Sequence, residues 1–323
     1  VTRYLNIQVE HTGDRCYLHQ TSYIESMLQN FNMADCKPVP TPSAAAPLTK
    51  QQCPQTDEGK QQVSKLPFRS LVGSIWYAAN CTRPDITCAN NVIAQFCQNF
   101  GSQHWSAGKR ILRYLRGAVS LGVSYVATKT VTIVAYSDSD WAGNPDGRKS
   151  RTGYVVMVAG GPVVWQSKSQ KTVALSSCEA ELYALCECVK EILWIIEFLN
   201  ELKVKFETPI LKVDNQGAKA LAENPVYHQR TKHIAVRWFF VRNVVDSGKI
   251  TLEYVETSKN LADIFTKAVT TAIYKRIVVV MMANHKLGIV SECAMLARVK
   301  RCSFYIHHTR SNLIVDIRAV MRS

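Results

Sequence analysis

Along this chain, short stretches in which apolar and polar residues alternate are mixed with longer stretches whose apolar residues recur every three to four positions. That mixture predicts an α/β protein. The first thirty residues read as strand, turn, strand, helix: YLNIQVE, the Gly-Asp turn of HTGDR, CYLHQ, then an amphipathic TSYIESMLQNF that Thr21 can cap. Residues 41–65 are rich in Pro, Ala, Gln and Lys and read as an extended linker or long surface loop. Three helical stretches follow, FRSLVGSIWYAAN, ITCANNVIAQFCQNF and HWSAGKRILRYLRGA. In the last, Ile111, Tyr114 and Leu115 are apolar while Lys109, Arg113 and Arg116 share another side, which suits a phosphate backbone or plain solvent equally well.

Strands and helices alternate from residue 131 to 270. Strands are predicted at 131–137, 154–158, 163–167 and 171–175, with a meander of three antiparallel strands followed by a long helix as the reading. The helix is the best signalled in the chain. Ser176 and Glu179 make a capping box, and Leu182, Leu185, Val189, Ile192, Leu193, Ile196 and Leu199 make an apolar stripe that must pack on the sheet. A strand at 210–214, a helix at 218–223, a basic helix at 231–246, a strand at 250–255 and a helix from Leu261 complete the region. Residues 271–323 hold apolar clusters and basic residues but no usable motif, and no internal repeat is present.

Composition narrows the class of protein. At 323 residues and 47% hydrophobic, the chain can bury about two packed cores. Its longest apolar run near the end, 277–283, falls far short of the roughly 20 residues of a membrane helix. Eleven cysteines, without a CxxC pair, fit a reducing compartment and speak against a zinc site. The opening VTRYLNIQVE has no initiator Met and reads as part of a longer polypeptide. The net charge of +14 suits a polyanionic partner and is unevenly spread, since basic residues exceed acidic ones by six over 1–130, by one over 131–270 and by seven over 271–323. A near-neutral middle is what an acidic metal site among basic surface residues should show.

The candidate chemistry lies in four acids of that middle region. Asp138 in YSDSDWAG ends a strand, Glu181 lies on the capped helix, Asp214 in VDNQGA ends another strand, and Asp263 in NLADIFTK enters a helix. Asp138 and Asp140 point the same way, but Asp140 precedes Trp141-Ala142-Gly143 and suits a turn. Glu181 lies about 65° from the centre of the apolar stripe, against about 95° for Glu179, which already has a capping role. Asp263 has the weakest local case, because an acid at a helix start favours the macrodipole in any event. Two carboxylates about 4 Å apart repel by roughly 4 kcal/mol at an effective dielectric of 20. Four can converge only with cations between them. Mg2+, or Mn2+, fits a set of oxygen donors with no His or Cys cluster, and such a site suits two-metal phosphodiester chemistry. Arg230, Lys232, Arg237 and Arg242, in and after HQRTKHI, offer cations at helical spacing that could grip phosphates. The five-residue spacing of His228 and His233 puts them on different faces and makes no metal site.

The blocks YSDSDWAG, SRTGYVV, VVWQSKSQKTVALSSCEAELYAL, VDNQGAKALAENPVYHQRTKHI and NLADIFTK, in that order, resemble the ribonuclease H domain of Pol polyproteins from copia-type (Ty1/copia) LTR retrotransposons. YLNIQVE, YIESMLQNFNM, FRSLVGSIWYAANCTRPDI and HWSAGKRILRYLRG resemble the end of the reverse transcriptase region of the same polyproteins. Together these cover about residues 1–270. The resemblance implies a division at 1–128, 129–270 and a tail at 271–323, with an RNase H-like five-stranded mixed sheet and flanking helices in the second part. It implies Mg2+-dependent cleavage of RNA in RNA/DNA hybrids, with Asp138, Glu181, Asp214 and Asp263 as metal-binding acids. It also implies an intracellular setting, in a cytoplasmic particle or the nucleus, and the rest of the polyprotein as partner. A catalytically inactive nucleic-acid-binding relic is the alternative. The Tyr-x-Asp-Asp polymerase signature is absent, so DNA synthesis is not expected of this chain. Between the last strand and Asp263 the segment ETSKNLA holds no His, so the product-release histidine of some cellular ribonucleases H has no counterpart.

Overall fold

The computed structural model of the chain describes residues 2–43, 46–217, 232–284, 305–309 and 312–316. These form two compact units, the first built on Cys16–Ser124 with the residues before Gly13 and the described residues 268–284, the second on Tyr125–Lys267 with Gly13–Arg15 and the described residues 305–309 and 312–316.

The first unit begins with β1 (Thr2–Tyr4) and β2 (Ile7–Thr12), so the stretch expected as one strand is a tight hairpin. Leu5 and Asn6, both at positive φ (46° and 60°), make its two-residue turn, the geometry that matches the twist of paired strands. β3 (Arg15–His19) and α1 (Thr21–Asn30) follow, but Thr21 does not cap the helix: it is the first helical residue, Gln20 takes the cap position without a side-chain cap, and the Thr21 hydroxyl donates to Val119 O instead. The expected linker contains a helix, α2 (Asp57–Ser64), capped by the Thr56 side chain, which accepts from Gly59 N. An N-cap with two acids in the first turn outweighs a polar composition that suggested loop. Next come α3 (Phe68–Cys81), α4 (Thr87–Ala94), shorter than the stretch predicted there, α5 (Ser102–Gly117) and β4 (Leu121–Val126). Leu71, Ile75, Ile93, Ile111 and Leu115 are among the buried residues of the core that these helices share. On the predicted basic side of α5, Arg113 and Arg116 donate to the carbonyls of Lys37 and Ala34, and the neighbouring Arg110 donates to that of Ser43.

The second unit opens with a meander of β5 (Ile133–Asp140), β6 (Arg151–Val158) and β7 (Gly161–Ser169). No strand forms at 171–175, where Val173 and Leu175 are exposed and the Trp141 indole donates to Ala174 O. This segment instead leads the chain into α6 (Ser177–Glu201). Ser176 caps that helix as predicted, while the Glu179 carboxylate reaches one residue further back, to Leu175 N. Leu182, Leu185, Val189, Ile192 and Leu199 are buried, but Leu193 and Ile196 are only half-buried and Ile195 takes the inner position. After β8 (Ile210–Val213) the predicted helix at 218–223 lies outside the described residues. Then follow α7 (Lys232–Asp246), β9 (Thr251–Tyr254) and α8 (Asp263–Thr266), a single turn. The sheet runs β7-β6-β5-β8-β9, antiparallel from β7 to β5 and parallel from β5 to β9. This is the five-stranded mixed sheet with flanking helices that the resemblance implied.

Past Ala268 the chain returns to the first unit. Here α9 (Thr271–Met281) and β10 (Ala283–Asn284) form, and β10 extends that unit's sheet to β1-β2-β3-β4-β10. A last hairpin, β11 (Tyr305–Thr309) with β12 (Asn312–Asp316), is antiparallel. Among the described residues, no helix is long and apolar enough to cross a membrane.

A buried ion pair anchors α9. Arg83, fully buried, donates to both Asp85 carboxylate oxygens (2.9 and 2.7 Å) and to Ala118 O (2.7 Å). Tyr114 Oη donates to Asp85 Oδ2 (2.6 Å) and Tyr274 Oη, from α9, to Asp85 O (3.0 Å). Removing one partner strands a charge in the interior. Asp85→Ala should therefore destabilise the first unit by about 3–5 kcal/mol and speed amide exchange across α5 and α9, with partial recovery in the Arg83→Met, Asp85→Ala double variant.

Candidate active site

Alternation along β5 and its pairing with β8 decide where the site forms. Asp138 lies near the carboxyl end of β5, opposite Gly153 of β6. β8 runs parallel beside β5, Tyr136 facing Lys212, so Asp214, one residue past β8, comes up at the same end of the sheet. Ligands gather at strand carboxyl ends of this kind. α8 brings Asp263 to them by lying against β6, and Gly153 makes that approach feasible. A Cβ on Gly153 would stand 2.6 Å from Thr266 Cγ2 and 2.8 Å from Phe265 Cβ.

Asp138, Asp214 and Asp263 each present one carboxylate oxygen, and these oxygens all lie within 4.8 Å of one another. Asp138 and Asp263 are 2% and 3% exposed, and Asp214 is half-buried. Glu181 stands beside them, its Oε1 accepting from Ser139 N at 3.2 Å. Burial, then the charges of Asp138 and Asp214, push its carboxyl up to about 9. Burial and the Asp138 charge push Asp263 up to about 6, and the same two causes raise Asp214. Glu179, by contrast, is committed to the start of α6. Asp140, the last residue of β5, packs over Gly143 and is not one of the three clustered acids.

Several residues that the sequence did not single out hold the cluster. Lys267 Nζ lies 2.9 Å from Asp263 Oδ1 and 3.7 Å from Asp138 Oδ2. Thr266 Oγ1 donates to Asp138 Oδ2. Asn260, fully buried, donates to Ser137 O and, with Thr257, hydrogen-bonds the Asp214 carboxylate. The Gln170 amide bridges β5, β6 and α6 through Ser139 Oγ, Thr152 Oγ1 and Ala180 O. Lys267 was legible in principle, standing only four residues after Asp263 and one past the end of α8. The other contacts are made between segments remote in sequence.

Two of the four expected phosphate-gripping residues lie within the described side chains. Arg230 lies outside the described residues, as does the side chain of Lys232. Arg237 stacks its guanidinium over the Tyr183 ring at 3.9 Å, joining α7 to α6. Arg242 pairs with Asp246 at 3.2 Å and lies over Trp238.

The donors suit a hard divalent cation: all are oxygens, and Lys267 is a single positive charge among four carboxylates. Oxygens sharing one Mg2+ shell lie about 3–4.2 Å apart, within small side-chain rotations of the spacing here.

Similarity to known proteins bears on most of the chain. It is 43% identical over 266 residues to the Retrovirus-related Pol polyprotein from transposon TNT 1-94 of Nicotiana tabacum, covering 82% of this chain and 20% of that one. It is 36% identical over 289 residues to the corresponding polyprotein from transposon RE2 of Arabidopsis thaliana, covering 89% and 19%. The chain belongs to the Pol polyproteins of copia-type retrotransposons. It spans about a fifth of the length of these curated relatives. A shorter relative also matches this copia-type chain: a secreted RxLR effector protein of Plasmopara viticola, 43% identical over 133 residues, covering 41% of this chain and 94% of that one. No family model matches the chain. Among solved structures, the N-terminal RNase H domain of rv2228c from Mycobacterium tuberculosis aligns with 46% of the chain and 99% of its own, at 14% identity and a TM-score of 0.34. At that score the fold assignment rests on the strand order instead.

Two outcomes follow from the crowded acids. Asp263 and Glu181 are raised in the folded state, so between about pH 4 and their folded values the folded chain holds more protons than the unfolded one. In EDTA the melting temperature should fall as pH rises through about 6 and on toward 9, and Asp263→Asn should gain on the wild type between about pH 4 and 6. Gly153→Ala should push α8 from β6, lowering stability by about 1–3 kcal/mol and weakening Mn2+ binding in calorimetry.

Proposed function

We propose that the second unit hydrolyses the RNA strand of RNA/DNA hybrids, as the ribonuclease H part of a retrotransposon Pol polyprotein, with the first unit as the end of its reverse transcriptase region. The convergence of Asp138, Asp214 and Asp263 within 4.8 Å, with Glu181 alongside, carries this reading. Bound Mg2+, or Mn2+, supplies activation of the attacking water and stabilisation of the leaving oxygen. Asp138 and Asp214 would hold the metal most directly, with Glu181 and Asp263 completing the set.

The chain's own residues then have defined tasks. Asn260 and Thr257 orient Asp214, Thr266 orients Asp138, and the Ser139 amide fixes Glu181. Preorganised carboxylates spare the site reorganisation when substrate arrives. The basic excess of the chain favours association with a polyanion, and the 2′-hydroxyls of the hybrid's minor groove distinguish its RNA strand.

The second reading is a nucleic-acid-binding relic without turnover. One assay separates the two. With Mg2+ and a labelled RNA/DNA hybrid, the full chain should cleave the RNA strand, and Asp138→Asn or Asp214→Asn should each lose about 10³-fold in rate, the equivalent of several kcal/mol. Full activity in either variant would sink the site assignment. Salt-dependent hybrid binding with no Mg2+-dependent cleavage by the wild type would favour the relic.

A further inference from the structure

Lys267 is the residue of the acid cluster that the hydrolytic reading leaves without a task. Its ammonium stands 2.9 Å from Asp263 Oδ1 and 3.7 Å from Asp138 Oδ2, two residues that present oxygens to the candidate metal site. A divalent ion seeks the same lone pairs. Mg2+ must approach each ligand oxygen to about 2.1 Å, and it demands near-octahedral geometry, so a lysine paired with these carboxylates and a metal bound by them compete for one space. The surroundings allow the lysine to yield. Its side chain is 39% exposed, whereas those of Asp138 and Asp263 are 3% and 5% exposed. Lys267 also follows the last residue of α8 with extended backbone (φ −145°, ψ 165°), so its stem is free of the helix and has a route to solvent.

We propose that Lys267 is an internal counter-cation: it holds Asp138 and Asp263 together when no metal is present and must leave them when a divalent cation binds. The cluster is thereby kept folded before metal arrives, and metal affinity is lowered by the ion pairs that loading breaks, since a ligand gains only its advantage over the state it displaces. A lysine suits this exchange better than an arginine fork would, being a compact charge on a flexible stem. The inference rests on the metal-binding reading of the acids.

The test is metal binding by the full chain without nucleic acid, read by Mn2+ and Mg2+ titration calorimetry and by melting in EDTA. Lys267→Met should bind Mn2+ about tenfold more tightly than the wild type, melt lower in EDTA, and show a larger rise in melting temperature on adding Mn2+. Lys267→Arg, which keeps the cation, should bind Mn2+ no more tightly than the wild type. Should Lys267→Met fail to fold without metal, Lys267→Gln must show the same tightening. Equal or weaker Mn2+ binding in the neutral variants, with wild-type binding that Asp138→Asn abolishes, overturns the counter-cation and leaves the metal site standing. Absence of any Mn2+ binding that depends on Asp138 overturns both.

Discussion

Mutual repulsion of carboxylates in a partly dry pocket is the constraint around which the second unit is arranged. Asp138, Glu181, Asp214 and Asp263 come from two strand ends, the start of a long helix and a one-turn helix. Burial and the neighbouring charges raise Glu181, Asp214 and Asp263 together. Burial alone would lower Lys267, yet the charges of Asp138, Asp263 and Asp214 hold its ammonium above the usual lysine range. A fold that gathers so much like charge does so against its own stability, which is the pattern of a site kept for function.

The sheet absorbs that repulsion by rigidity. Parallel pairing of β5 with β8 brings two acids to one end, and hydrogen bonds from Asn260, Thr257, Thr266 and the Ser139 amide leave the carboxylates few alternative rotamers. Gly153 matters as much as any acid, because its missing side chain is the space that α8 occupies. The first unit solves a different problem. Its buried Arg83–Asp85 pair is satisfied by Ala118, Tyr114 and Tyr274, so α9 is held by a polar network as well as by the apolar packing of Ile277 and Met281.

By itself the sequence determined the fold class, the long capped helix, the alternation of strands and the family, because each is written in local periodicity, capping residues or ordered motifs. Asp138 and Asp214 were legible as acids at strand ends, and Glu181 could be told from Glu179 because helical bearing and capping separate them. Tertiary structure alone decided the rest. Residues 171–175 forwent strand pairing where the chain turns toward α6. The arginines of α5 found backbone carbonyls of a segment some seventy residues away, which periodicity cannot foresee. Asn260, Gln170 and Gly153 act through contacts between segments distant in the chain, and α9 is held to the first unit by buried apolar residues and by the Tyr274 hydroxyl meeting a buried backbone carbonyl. Local preference acts along the chain, whereas these contacts are set by packing between its parts.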